Sequence, residues 1–129
     1  MTDQVEGLLQ VALKADDLDA AEAFYRRVLG VAPAGRFEPP GLLFFVVGAV
    51  RLLLEGGAPA GAVYLRVADV GAAQRRAVES GAQLVSEPHV IFRHVDDALG
   101  PAGHDEQHAF VRDPSGNLLG FVALVPTPA

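Results

Sequence analysis

The chain has 129 residues, half of them apolar, with 16 acidic and 10 basic side chains and no cysteine. The lack of cysteine excludes disulfides, thiolate nucleophiles and cysteine-ligated zinc or iron–sulfur sites. The net charge of −6 argues against nucleic-acid binding, which requires a basic face. No apolar run approaches the roughly 20 residues of a membrane span, and the first residues carry no signal-peptide pattern. We therefore expect a cytoplasmic protein of one domain.

An internal duplication organises the chain, and such repeats reveal architecture before any single motif does. Residues 13–21 and residues 65–73 follow one pattern of apolar, acidic and small side chains at a constant shift of 52. We therefore divide the single predicted domain, residues 1–129, into a first module at 6–57 and a second module at 61–125.

Each module begins with an apolar run that predicts a buried strand, at residues 8–13 and 63–67. Asp17 and Asp69 follow these strands and are suited to accept hydrogen bonds from the free N–H groups of a helix N-terminus. Apolar residues then recur at helical spacing, which is typical of an amphipathic helix lying on a sheet. The helices are expected to end at glycines, which favour the left-handed cap conformation, namely Gly30 and Gly81.

The rest of each module alternates further strands with turns. A proline- and glycine-containing turn, Asp-Pro-Ser-Gly-Asn, joins the last two strands. Each module therefore has the order β-α-β-β, with room for one further short strand. The additional strands are predicted at 42–47 and 50–54 in the first module, and at 83–86, 108–112 and 118–124 in the second.

Three of the four histidines lie in the segment 87–107, which is rich in prolines and glycines and is interpreted as a long loop. Loops of this length within a compact domain are usually functional or disordered. We interpret His94 and His104 as solvated loop residues. His89 follows a Glu-Pro pair that restricts its position, and His108 opens a strand whose facing direction parity alone does not decide.

The paired modules, the strand at residues 10–13 followed by Asp17, and the closing segment at 110–117 resemble the vicinal oxygen chelate superfamily. This superfamily includes glyoxalase I, bleomycin-resistance proteins, fosfomycin-resistance enzymes, methylmalonyl-CoA epimerase and extradiol dioxygenases. The resemblance covers essentially the whole chain. It implies an α+β fold in which two βαβββ modules form a curled mixed sheet around a central cavity, with the helices outside. It also implies a homodimer and, in many members, a divalent metal ion.

The resemblance implies four metal-ligand positions, one on each of four strands. In this chain they hold Gln10, Leu52, Ala62 and Gly120, and only the glutamine has an oxygen to donate. A hard divalent cation needs several oxygen or imidazole donors to replace its water. A shift of one residue along any of the other three strands supplies no carboxylate or imidazole. We therefore expect no metal ion and no other cofactor.

The alternation of side chains places Gln10 and Tyr64 on the same face as the former metal positions. That face is mainly apolar, with an amide, a phenol and a guanidinium, and suits a small organic molecule. The alternative is that the glutamine and the tyrosine are core residues bonded to the backbone. The predicted ligand-binding residues are Gln10, Ala12, Leu52, Tyr64, Arg66, Phe110 and Gly120.

Three functions follow as hypotheses. The leading one is a small-molecule-binding protein of the bleomycin-resistance type, a homodimer with neither nucleic acid nor membrane as a partner. The second is a glyoxalase-like lyase, isomerase or dioxygenase with His89 or His108 as general base, and with Tyr64 or Arg66 stabilising negative charge. The third is a domain whose sheet serves only assembly. The chain contains no glycine-rich phosphate loop and no nucleophile-elbow serine.

Overall fold

The structure is a computed structural model that describes residues 5–129. Each module has the order βαβββ, and the α+β architecture is confirmed. Within the described range, no helix is long and apolar enough to cross a membrane. The elements are β1 Gln10–Lys14, α1 Leu18–Leu29, β2 Gly35–Phe37, β3 Leu42–Val47, β4 Val50–Glu55, β5 Ala62–Arg66, α2 Val70–Glu79, β6 Gln83–His94, β7 His104–Arg112 and β8 Leu118–Pro126.

The strands form two mixed four-stranded sheets that repeat one topology. The first sheet has the order β1-β4-β3-β2, and the second has the order β5-β8-β7-β6. In each, the module's first strand runs parallel to its last, and the remaining neighbours are antiparallel. The shared order is what the duplication in the sequence predicts.

Both helices begin directly after the aspartates that were predicted to cap them. The carboxylates of Asp17 and Asp69 accept the backbone N–H three residues ahead, at 3.1 and 3.0 Å. Helix α1 ends at Gly30, which has a φ of 74°. Helix α2 ends at Ser80, one residue before the predicted glycine, and Gly81 follows with a φ of 110°.

One hydrophobic core lies between the helices and the helix-facing sides of the two sheets. Phe24 and Tyr25 of α1 and Ala77 of α2 are fully buried in it, and the two helices contact each other. The opposite face of each sheet is therefore turned away from the helices. The sheet residues of the core are Leu13, Leu43, Phe45, Leu52, Leu54, Ala109, Val111, Leu119, Phe121 and Ala123.

The side chain of Asn117, in the turn before β8, joins the two modules. Its Oδ1 accepts the backbone N–H of Gly61 at 3.0 Å and that of Lys14 at 3.3 Å. Its Nδ2 donates to the backbone oxygen of Lys14 at 2.7 Å and to Asp113 at 2.8 Å. The predicted turn thus also fastens the end of β1 to the start of the second module.

The prediction of a long loop at 87–107 is wrong. Strand β6 continues to His94 and pairs with β7 from His104 onwards, which leaves only residues 95–103 as the connecting loop. A register shift between Ser86 and His89 accommodates Pro88. A proline is tolerated here because β6 is an edge strand, where a missing N–H donor and a bulge cost little.

The predicted position of Leu52 on the face of Gln10 is also wrong. In the parallel register of β1 and β4, Leu52 is the partner of Val11, and both pack in the helix-facing core. The β4 residues on the face of Gln10 are its partner Arg51 and Leu53, the partner of Ala12. Because Leu52, Leu53 and Leu54 are all buried, the strand offers no polar alternation from which its facing could be predicted.

Candidate functional site

The candidate site lies on the face of the second sheet that is turned away from α2, which we call the open face. Residues paired directly across strands point to the same face, so the register of β5, β8 and β7 arranges the site in rows. These rows are Tyr64–Gly120–Phe110, then Arg66–Val122–His108, then Leu124–Glu106. Strand parity does not decide the facing of His108; the register places it on the same face as Tyr64 and Arg66.

A cavity of about 420 Å³, here called the His108 cavity, covers two of these rows. Its size lies within the about 300–1,000 Å³ typical of small-molecule sites. The cavity combines four polar side chains with three apolar ones. Its lining residues are Tyr64, Arg66, Leu99, Glu106, His108, Val122 and Leu124.

Glu106 lies between two imidazoles, each bonded to a different carboxylate oxygen. The Nε2 of His108 is 2.6 Å from Oε2, and the Nε2 of His94 is 2.8 Å from Oε1. The hydrogen bond from His108 is the largest effect on the pKa of Glu106 and lowers it; burial opposes this, and a weaker contribution from His94 helps to hold the pKa below its ordinary value. The interpretation of His94 as a solvated loop residue is wrong, because its ring is buried.

This arrangement prepares His108 to accept a proton. When an uncharged imidazole donates Nε2–H to a carboxylate, its Nδ1 carries the lone pair. The Nδ1 of His108 has no hydrogen-bond partner within residues 5–129. A histidine oriented by a carboxylate in this way is the arrangement of a general base.

Aromatic rings cluster on the open face beside His108. The ring centroid of Tyr64 lies 5.7 Å from that of His108 and 5.8 Å from that of Phe110, in edge-to-face arrangements. The two rings close over Gly120, where an added Cβ would lie 2.8 Å from Tyr64 Cδ2 and 2.9 Å from Phe110 Cε1. Tyr64 is 60% exposed, so it is not a core residue.

A second cavity, of about 390 Å³, lies between the modules and is predominantly apolar. Tyr64 lines both cavities, and the predicted pocket residues are distributed between two cavities instead of one. We call this one the inter-module cavity. Its lining residues are Leu8, Val11, Val47, Val50, Leu52, Ala62, Val63, Tyr64 and Leu65.

The remaining predicted site residues lie outside both cavities. Gln10 is half-buried, and its Oε1 is buried without a hydrogen-bond partner in the part of the chain that the structure describes. Ala12 is exposed on β1. His89 lies opposite His108 on β6, but it is exposed and its Nδ1 is 2.8 Å from the backbone oxygen of Glu87.

The positions assigned to metal ligands by resemblance do not provide a donor set. The unpartnered oxygen of Gln10 is a single candidate ligand, whereas Leu52, Ala62 and Gly120 have none. At Gly120, the rings of Tyr64 and Phe110 fill the space into which a longer side chain would extend. Between residues 5 and 129, no group of three His, Asp or Glu side chains is arranged to hold a metal ion.

Sequence reasoning missed Glu106 and the buried role of His94. One signal for the glutamate was present, because His104, Glu106 and His108 alternate and therefore share one face of a strand. His94 gave no such signal, since its approach to Glu106 depends on the register across the β6–β7 hairpin.

Paired βαβββ modules with a cavity-bearing sheet face define the class of protein, and comparison with known families gives the same result. The chain matches the Glyoxalase/Bleomycin resistance protein/Dioxygenase superfamily over residues 7–121. It belongs to that superfamily. No curated protein matches the chain.

Several solved structures share this fold. A glyoxalase-related enzyme from Fulvimarina pelagi has 20% identity and a TM-score of 0.72, over 92% of this chain and 88% of its own. A glyoxalase/bleomycin resistance protein from Albidiferax ferrireducens T118 has 22% identity and a TM-score of 0.67, over 90% and 98%. Lactoylglutathione lyase from Agrobacterium tumefaciens has 26% identity and a TM-score of 0.66, over 93% and 95%.

Proposed function

We propose that this protein binds a small organic molecule in the His108 cavity without a resident metal ion. The observation that carries the proposal is the convergence of Tyr64, Arg66, Glu106 and His108 on one cavity. An apolar pocket with a few convergent polar groups and a perturbed carboxylate is the usual form of a ligand site.

The proposal that no metal is needed rests on the chemistry of the residues themselves. A divalent cation held by Gln10 alone would keep almost all of its water, because one amide oxygen cannot replace a ligand set. At Gly120, the covering rings of Tyr64 and Phe110 present apolar carbon instead of oxygen. Those rings serve equally well as a surface for an organic ligand.

The surroundings of both cavities favour the homodimer that the resemblance implies. Leu8 at the inter-module cavity is 66% exposed, and Leu99 at the His108 cavity is 82% exposed. Exposed apolar side chains at the rim of a cavity are typical of surfaces that a partner covers. We propose that a second copy of the chain covers these rims, and that this cysteine-free acidic protein acts in the cytoplasm.

A second candidate function is favoured by the His108–Glu106 hydrogen bond. A ligand with an acidic C–H beside a carbonyl would transfer that proton to His108 Nδ1, leaving the electron pair as an enolate. Tyr64 or Arg66 would stabilise the enolate oxygen, and the imidazolium would return the proton to the opposite face of the carbon after the enolate has turned over in the cavity. This is isomerase chemistry, in which Glu106 stays ionised and orients the ring.

The binding proposal is tested by titrating a library of small organic compounds while the NMR signals of Tyr64, Phe110 and His108 are followed. We expect bound compounds to shift these three signals equally with and without EDTA. Binding that disappears with EDTA and returns with a divalent cation would contradict the proposal. Shifts confined to residues outside both cavities would also contradict it.

The isomerase candidate is tested by following exchange of a ligand's C–H with deuterated water. We expect His108→Asn to slow the exchange by about 10²-fold or more, which is typical for loss of a general base. His104→Asn is the matched control, since His104 is on the same strand but bonds only to the backbone oxygen of Ala102. Equal rates in the wild type and His108→Asn would rule out His108 as the base.

A further inference from the structure

We infer that the ligand of the His108 cavity is an amphipathic carboxylic acid whose carboxylate pairs with Arg66. This inference rests on the proposed binding function and adds the chemical class of the ligand. The geometry assigns the carboxylate to the β5 edge of the cavity and the apolar body to the space between Arg66 and His108.

Arg66 is available to a ligand because its guanidinium is exposed and forms no ion pair within residues 5–129. In contrast, Arg36 pairs with Asp19, Glu22 and Glu38. A guanidinium presents a planar fork of N–H donors that matches the two oxygens of a carboxylate. Arg66 is thus a cavity cation whose partner is not supplied by the described part of the chain.

The row that contains Arg66 sets the length and character of the ligand. Arg66 pairs with Val122, which in turn pairs with His108. Neighbouring strands lie about 4.8 Å apart, so the backbones of Arg66 and His108 are separated by roughly 10 Å, with Val122 between them. A molecule that reaches from one to the other therefore rests on an apolar floor.

Most side chains on either side of this row are apolar or aromatic where the ligand body would lie. Tyr64 and Phe110 occupy the row on one side. In the row on the other side, Leu124 is the apolar member and Glu106 the charged one, and Leu99 reaches the cavity from the loop at 95–103. A fully polar anion would leave these surfaces unused, whereas an aromatic or aliphatic acid would cover them.

Glu106 lines the same cavity as Arg66, but the two side chains do not form an ion pair. Both of its carboxylate oxygens accept hydrogen bonds from imidazoles, one from His94 and one from His108. The carboxylate of a ligand would therefore find its partner at Arg66, and the opposite end of the ligand would meet the imidazole of His108.

The test uses four acids and their primary amides: benzoate, phenylacetate, 4-phenylbutyrate and octanoate. Each pair has nearly the same shape but differs in charge. Binding is measured from the NMR shifts of Tyr64, Phe110 and His108 in the wild type, Arg66→Gln and Arg112→Gln. Arg112 is the matched control because it is an exposed arginine on β7 outside the cavity, and its loss changes the net charge equally.

We expect at least one acid to bind the wild type and Arg112→Gln about tenfold or more tightly than its amide, as a charge-assisted pair provides. In Arg66→Gln the acid and its amide should bind equally. Amides that bind at His108 as tightly as the acids would overturn this inference and leave the binding function intact. If neither class shifts the three signals, the binding function fails for small amphipathic molecules, and the inference fails with it.

Discussion

The Nε2 of His94 and the Oε1 of Glu106 are 2.8 Å apart across the β6–β7 hairpin. His94 is 2% exposed, and Gly100 packs so closely on its ring that an added Cβ would lie 2.9 Å from Cε1. The other oxygen of Glu106 is bonded to His108. The carboxylate of Glu106 therefore connects His94, at the start of the loop at 95–103, to His108, the candidate general base in the cavity.

This link predicts a specific loss of stability in acid. Because the pKa of Glu106 is lower in the folded protein than its ordinary value near 4.5, its ionisation stabilises the fold above that pH. The contribution is lost as the pH falls through the folded pKa. We expect urea unfolding between pH 6 and pH 3 to show a steeper loss of stability for the wild type than for Glu106→Gln.

Asp105 serves as an internal control for that experiment. Its pKa is also lowered, chiefly by the hydrogen bond from Thr127 and further by Arg93, and it is present in both proteins. Its contribution therefore cancels when the two pH curves are compared. Parallel curves for the wild type and Glu106→Gln would show that the imidazoles do not favour the ionised carboxylate.

Gly120→Ala tests the closure of Tyr64 and Phe110 over the open face. The new methyl group would overlap both rings, and we expect a loss of about 1 kcal/mol, near the low end for overpacking because Tyr64 is exposed and can shift. The NMR signals of both rings should move. Gly7→Ala is the matched control, since nothing lies within 4 Å of a Cβ there. Equal stability and unmoved ring signals in Gly120→Ala would contradict the described packing.

Asn117→Ala tests the joint between the modules. The substitution leaves backbone groups of Lys14 and Gly61 without their buried partner, and we expect a loss of about 3 kcal/mol in the free energy of unfolding. Ser115→Ala, in the same turn, removes one exposed hydrogen bond from Asp16 and should cost less than about 1 kcal/mol. Equal losses in the free energy of unfolding for the two variants, measured by chemical denaturation, would mean that the hydrogen bonds of Asn117 do not hold the two modules together.

Tyr25→Phe tests the bond between α1 and the same turn. The phenol of Tyr25 donates to Asp113, and burial, reinforced by that carboxylate, raises its pKa above the ordinary value of 10. We expect the substitution to cost about 1–2 kcal/mol at neutral pH. Because the raised pKa disfavours ionisation in the folded state, wild-type stability should also fall above pH 10, and Tyr25→Phe should lack that component.

Tyr64→Phe is the control for this variant, because the Tyr64 side chain is exposed on the sheet. Its unfolding free energy should stay within about 0.5 kcal/mol of the wild type. A loss in Tyr64→Phe as large as that in Tyr25→Phe would contradict the difference in burial between the two phenols.

Much of the fold could be predicted because the duplication repeats local signals. Asp17 and Asp69 define both helix starts, and Gly30 defines one helix end. The strand at 83–94 was predicted too short, since Pro88 is read as a breaker whereas an edge strand tolerates a proline through a bulge. The short strand β2, Gly35–Phe37, has too few residues to show a period.

The site was less predictable because it depends on register between strands. Tyr64, Arg66 and Gly120 were placed correctly on one face by alternation along β5 and β8, whereas alternation left the facing of β7, and so of Phe110 and His108, open until the register placed it. Leu52 was not, because β4 is apolar on both faces and alternation carries no information there. The approach of His94 to Glu106 is set by pairing across a bulged hairpin, and no local pattern encodes it.

Native mass spectrometry of the purified protein, after incubation with Mn²⁺, Fe²⁺, Ni²⁺ and Zn²⁺, tests the central claim most directly. It reports metal, small molecule and oligomeric state together. We expect a dimer that retains no stoichiometric cation and that takes up an added organic acid. One tightly held cation per chain, lost in Gln10→Ala, would contradict the account.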